Sequence, residues 1–188
     1  MNSKVRNTVG IGVFTAIVVV LQLLGGGIKF GMFSITLTLI PIVVGAAVYG
    51  WQAGAWLGFA FGVAVLLSGD AAAFMVVDPL ATVGVVLVKG AGCGLVAGLI
   101  YKLFRKVNTV LGVVLAAISG PVVNTGIFLL GCVLFFMPTI TQWAAAFGFE
   151  NATSYMFLGL AGVNFLIELG VNLVLVPVIV RLIKLAKK

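Results

Sequence analysis

The chain has 188 residues, of which 63% are hydrophobic and only 8% are charged, and its formal net charge is +7. A soluble globular domain carries about 25% charged residues, so the polar residues here are too few to cover a water-soluble core. The composition therefore excludes a soluble domain. The basic residues lie in short clusters beside apolar runs, which does not indicate a nucleic-acid-binding protein.

Six apolar segments follow one another along the chain, at residues 9–28, 33–49, 51–68, 79–104, 110–137 and 152–185. Because a spanning helix needs about 20 apolar residues, we predict an all-α integral membrane protein, a six-transmembrane-helix bundle that forms one transmembrane domain over residues 1–188. The first segment is too long for a signal peptide and is interpreted as a retained helix. Pro41 is expected to kink the second helix.

Charged residues predict the orientation of the bundle. Three basic clusters fall on one side of a six-span bundle: Lys4 and Arg6; Lys102, Arg105 and Lys106; and Arg181, Lys184, Lys187 and Lys188. The positive-inside rule makes that side cytoplasmic, so both termini are expected in the cytoplasm. The acidic residues Asp70, Asp78 and Glu150 fall in the opposite loops.

Small residues at intervals of four predict close helix packing. The third segment has Gly54, Gly58 and Gly62, the fourth has Gly90, Gly94 and Gly98, and the fifth has Gly112, Ala116 and Gly120. For most of these we expect packing within the bundle. Gly12 and Ala16 form a similar face on the first segment, and there packing within the chain and contact with another subunit are both open.

Several polar residues lie where hydrocarbon should exclude them. Lys89 is near the middle of the fourth segment and Asn124 near the middle of the fifth, while Asn164, Glu168 and Asn172 share one face of the sixth. A buried charge costs several kcal/mol unless it is paired or solvated. One interpretation is an internal Lys89–Glu168 ion pair, and the other, which we favour, is a polar ligand pocket open to the outside.

Aromatic residues of the last outer loop and the start of the sixth segment could cover such a pocket. They are Trp143, Phe147, Phe149 and Tyr155, together with Asn151. An aromatic belt at the membrane surface explains the same residues equally well.

The chain lacks the residues that an enzyme or a metal protein would use. It has no His, no nucleotide-binding P-loop motif and no hydrolase motif, and Cys93 and Cys132 lie singly inside apolar runs. We therefore expect no enzymatic activity, no metal and no cofactor, and two cysteines that serve as small packing residues.

Four stretches resemble the substrate-binding S component of energy-coupling factor (ECF) vitamin transporters. They are FSITLTLIPIVVGAAVYG at 33–50, QAGAWLG at 52–58, PVVNTG at 121–126 and NFLIE at 164–168. The resemblance implies a prokaryotic multi-pass protein of the plasma membrane that binds a water-soluble vitamin. It implies as partners a transmembrane coupling subunit and two cytoplasmic ATPases, and it places docking on small residues of the first helix, here Gly12 and Ala16.

In that family the vitamin lies near the outer side, among the last three helices and the outer loops. The resemblance therefore implies a substrate site at Lys89, Asn124, Asn164 and Glu168, and we predict that Asn151 and Tyr155 of the possible lid also contact the substrate. One lysine with several amide and hydroxyl groups suits a ligand with a carboxylate, so pantothenate is the first expectation and riboflavin the second. The alternative function is an autonomous small secondary transporter or a structural membrane subunit.

Overall fold

The computed structural model describes residues 3–25, 29–30, 33–34 and 37–186, and nearly all of this part of the chain is helical. The helices are α1 (Ser3–Gly25), α2 (Leu39–Tyr49), α3 (Trp51–Ser68), α4 (Ala72–Met75), α5 (Pro79–Phe104), α6 (Thr109–Gly131), α7 (Met137–Ala146), α8 (Ala152–Ser154), α9 (Val163–Val174) and α10 (Val176–Ala186). Two π-helical segments, π1 (Cys132–Phe136) and π2 (Tyr155–Gly162), join α6 to α7 and α8 to α9. Two short strands, β1 (Lys29–Phe30) and β2 (Phe33–Ser34), pair antiparallel.

The predicted third and fourth segments coincide with α3 and α5. Local signals explain the start of α5, where the Asp78 side chain accepts a hydrogen bond from the Ala81 backbone N–H at 3.0 Å and Pro79 occupies the first helical position. Asn108 begins α6 in the same way, because its Oδ1 accepts from the backbone N–H groups of Val110 and Leu111.

The prediction for the second segment was wrong at its start. Within the predicted range 33–49 the helix begins at Leu39, Phe33–Ser34 belongs to the strand pair, and residues 35–36 lie outside the described residues. Pro41 does not kink a helix, because it lies in the first turn of α2, where its missing N–H would have had no partner within the helix.

The fifth and sixth segments are also organised differently from the prediction. A helical path runs from Thr109 to Ala146, so most of the connection between the predicted fifth and sixth segments is helical. The π1 turn ends two residues before Pro138, and its wider hydrogen-bonding pattern accommodates a ring that would clash inside a regular α-helix. The sixth segment breaks at Leu175, two residues before Pro177, which cannot donate a backbone hydrogen bond.

Glycine faces hold α3 and α5 together, as the spacing predicts. A Cβ atom on Gly58 would collide with the backbone carbonyl of Gly90, and one on Gly54 would collide with that of Gly94. Such contacts leave room only for glycine. The fifth segment behaves less uniformly, because Gly112 packs on the backbone at Arg105 whereas no described atom lies within 4 Å of a Cβ on Gly120.

Within the residues that the structure describes, five helices are long and apolar enough to cross a membrane: Lys4–Gly25, Trp51–Ser68, Pro79–Phe104, Thr109–Ala146 and Ala152–Val174. The shorter apolar helix Leu39–Tyr49 has 11 residues, which at 1.5 Å per residue spans about 16 Å of a roughly 30 Å hydrocarbon layer. These lengths support a multi-pass membrane protein. The sixth crossing and the side on which the termini lie stay predictions.

Candidate functional site

A cavity lies between α1, α3, α5, α6, the two π segments and α9. Its volume is about 150 Å³, whereas a single water molecule needs a volume of about 10–15 Å³. The space therefore suits a small organic molecule. Its polar lining consists of Gln22, Asp70, Thr82, Lys89, Asn124, Thr125, Asn164 and Glu168.

Lys89 projects from α5 into this cavity. Its Nζ lies over the Phe128 ring, 5.4 Å from the ring centroid, which is within range of a cation–π interaction. The carboxylates of Glu168 and Asp70 line the same cavity as the ammonium. The lysine thus combines a positive charge with N–H donors at the cavity surface.

Glu168 is 1% exposed and is surrounded by the amides of its own helix. Asn164 Nδ2 donates to Glu168 Oε1 at 3.4 Å, and Asn172 Nδ2 donates to the backbone carbonyl of Glu168 at 2.8 Å. These three residues, which are spaced by four as the sequence showed, therefore lie one above the other along α9. Asn164 and Glu168 reach the cavity, while Asn172 is buried one turn beyond them.

Asn124 comes from α6 and is 6% exposed. Its Oδ1 is buried and accepts no hydrogen bond from the residues that the structure describes. Buried polar atoms are almost always paired, and an unpaired one costs about 1–3 kcal/mol. A ligand donor in the cavity would satisfy this oxygen.

One end of the cavity is tied by a hydrogen-bonded group that we call the Gln22 clasp, formed by Gln22, Asp70 and Thr38. Gln22 Nε2 donates to Asp70 Oδ2 at 2.6 Å, and Thr38 Oγ1 donates to Gln22 Oε1 at 3.4 Å. Gln22 lies on α1, Asp70 lies in the connection after α3, and Thr38 directly precedes α2. The clasp therefore joins three parts of the fold beside the cavity.

An aromatic wall closes the same region. The Phe74 ring, on the short helix α4, makes edge-to-face contacts with Phe128, Phe136 and Trp143 at centroid distances of 5.6, 5.0 and 5.3 Å. Phe74, Phe128 and Phe136 line the cavity. This wall supplies apolar contact area beside the polar lining.

The structure brings together four of the predicted substrate residues, Lys89, Asn124, Asn164 and Glu168, in the one cavity. Asn151 and Tyr155 are not among the residues that line it. Asn151 caps α8 by accepting a hydrogen bond from the Ser154 N–H at 2.8 Å.

Tyr155 packs against two other aromatic rings. Its ring is stacked on Phe147 and meets Phe149 edge-on. Among the aromatic residues considered as a lid, Trp143 contacts the cavity wall through the Phe74 ring.

Gly12 and Ala16, the predicted docking residues, are exposed on α1. No described atom lies within 4 Å of a Cβ on Gly12, so this face has no partner within the described part of the chain. Val18 and Gln22, by contrast, are the buried residues of the same helix. One helix therefore has a buried side toward the cavity and an open side of small residues.

Sequence reasoning missed Gln22, Asp70, Thr82, Phe74 and Phe128 as cavity residues. Gln22 carried a signal, since it is a polar residue inside the first apolar segment. Asp70 was interpreted through its loop position alone.

No group of three or more His, Cys, Asp or Glu side chains suited to a metal ion occurs among the described residues. The arrangement is suited to binding a small ligand through charge and hydrogen bonds.

Comparisons with known proteins agree with this interpretation. The family model described as "ECF transporter, substrate-specific component" matches residues 6–180. The chain is 27% identical to the pantothenic acid transporter PanT of Lactococcus lactis subsp. cremoris over 200 aligned positions, which cover 95% of this chain and 93% of that protein. No solved structure matches the chain.

Proposed function

Because this chain belongs to the family of substrate-specific components of ECF transporters, we propose that it captures pantothenate in its cavity and presents it to a coupling subunit for import. Members of this family bind a transport substrate and are not enzymes. The observation that carries the choice of ligand is the cavity itself, where one lysine, two asparagines and an aromatic wall meet.

The chemistry of pantothenate matches these groups one by one. Its carboxylate would accept hydrogen bonds from the Lys89 ammonium. Its hydroxyl and amide groups would donate to the buried Oδ1 of Asn124 and exchange hydrogen bonds with Asn164. Its dimethyl group would pack on the wall that contains Phe128. The likeness to a pantothenic acid transporter supports the same ligand.

Assembly with partners would use the open face of α1. Gly12 and Ala16 allow another helix to approach closely, which is the geometry that small residues spaced by four provide in membranes. The proposed partners are a transmembrane coupling subunit and, through it, two cytoplasmic ATPases. The basic clusters that begin at Lys102 and Arg181 would then face the cytoplasm, and the protein would lie in the plasma membrane.

Reconstitution into proteoliposomes tests this function. Vesicles that contain the chain, the coupling subunit and the ATPases should accumulate labelled pantothenate only when ATP is enclosed with the ATPases. Vesicles that contain the chain alone should bind the vitamin without accumulating it. Uptake by the chain alone, driven by an ion gradient, would instead indicate an autonomous secondary transporter.

A further inference from the structure

Lys89 has an aromatic partner that belongs to a neighbouring helix. Its Nζ lies over the face of Phe128 on α6, 5.4 Å from the centroid. The Phe128 ring packs edge-to-face on Phe74, with the two centroids 5.6 Å apart. The ammonium therefore rests on a ring whose orientation is fixed by packing.

This contact stabilises the ammonium without using up its hydrogen-bonding capacity. A ring face attracts a cation through its quadrupole, and the attraction grows when water is excluded. An ammonium has three N–H donors, and those directed away from the ring stay open to an acceptor in the cavity. A close ion pair with a protein carboxylate would occupy donors that the ligand needs.

Glu168, which lines the cavity together with Asp70, has a hydrogen-bond partner on its own helix. Glu168 Oε1 accepts from Asn164 Nδ2 on the same helix, and Glu168 lines the same cavity as Lys89. Phe128 belongs to α6, so the ring contacts the ammonium from a different helix than the one that carries Glu168.

We infer that Phe128 is a positioning residue that holds the Lys89 ammonium ready for the ligand carboxylate and so sets the preference for an anionic ligand over its neutral analogue. This inference rests on the proposed function, since it assumes a carboxylate ligand. It assigns to Phe128 a role in selectivity that is separate from apolar packing.

Titration calorimetry with pantothenate and with its neutral alcohol, pantothenol, tests this role. The wild-type protein should prefer pantothenate. Phe128→Leu should reduce the ratio of the two affinities by about two- to thirtyfold, the range of a cation–π interaction between exposed and desolvated sites. Phe128→Tyr keeps an aromatic face and should restore the ratio.

Phe136→Leu is the matched control, because Phe136 lines the same cavity and touches the same Phe74 ring. It should weaken both ligands alike and leave their ratio unchanged. The inference would be overturned if Phe128→Leu left the ratio of pantothenate to pantothenol affinity unchanged, or if Phe136→Leu reduced that ratio equally. In either case, pantothenate binding by the wild type would still support the proposed function. A wild-type protein that binds neither compound would overturn the proposed ligand and the inference together.

Discussion

Lys89 and Glu168 carry opposite charges into one cavity of a bundle built for a membrane. Lys89→Met should lower both thermal stability and pantothenate affinity, because it removes the positive charge nearest a buried carboxylate as well as the proposed ligand contact. The double variant Lys89→Met/Glu168→Gln should regain stability and still fail to bind pantothenate. Thermal unfolding in detergent, together with calorimetry on the folded double variant, measures the two effects. Normal affinity in the double variant would mean that the charge pair is structural only.

Some of the cavity residues could be predicted from the sequence and others could not. Lys89, Asn124, Asn164 and Glu168 could be predicted because a polar group inside an apolar segment must find a polar surrounding. The role of Phe128 could not be predicted, since a phenylalanine in an apolar helix suits lipid, core and cavity equally. Its function depends on a contact between two helices, which only the packed structure provides.

Among the helical elements, the α3–α5 pair makes the closest backbone approach through glycine. Gly58→Ala should destabilise the protein by about 1–3 kcal/mol, because its Cβ would collide with the Gly90 carbonyl and force the helices apart. Gly84→Ala on α5 is the control, since no described atom lies within 4 Å of its Cβ position. That change should be neutral or stabilising by up to about 1 kcal/mol, because alanine favours a helix over glycine. Equal effects of both changes on thermal unfolding would contradict this packing.

The Gln22 clasp ties α1 to the rest of the bundle. Gln22→Leu should destabilise the protein by about 1–3 kcal/mol, since it removes the 2.6 Å hydrogen bond to the Asp70 carboxylate in a buried place. Hydrogen exchange at residues 69–76 should also become faster. Thr8→Val on the exposed side of the same helix removes only a bond to the Lys4 carbonyl and should change neither quantity. Unchanged exchange in Gln22→Leu would show that the clasp does not hold this connection.

Element boundaries were predictable where local chemistry marks them. Asp78 and Pro79 define the start of α5, and Gly50 and Gly69, both with positive φ, bound α3. The start of α2 was missed because the apolar run extends back through the strand pair. The continuation of α6 into α7 was missed because a proline such as Pro138 normally ends a helix, and the π turn that accommodates it has no signature of its own in the sequence.

At the scale of the whole molecule, α1 connects the cavity to the proposed partner. Gly12→Leu or Ala16→Leu should impair co-purification of the coupling subunit and pantothenate uptake while leaving the affinity of the isolated chain nearly unchanged. A bulky side chain blocks close helix approach on the open face, whereas Gln22, the residue through which α1 lines the cavity, is buried on another side of the helix. Leucine at the equally open Gly84 is the control and should leave assembly intact. Assembly that survives both α1 changes would exclude this face as the docking site.

The central claim is that the cavity binds pantothenate, and mass spectrometry of ligand released from gently purified protein tests it most directly because it presupposes no ligand. The wild-type protein should release pantothenate in an amount approaching one molecule per chain. Asn124→Ala should release far less, because losing the buried partner of a ligand group weakens binding by on the order of 1–3 kcal/mol, or about five- to a hundredfold. Release of riboflavin or another compound in place of pantothenate, from the wild type and lost in Asn124→Ala, would contradict the claim.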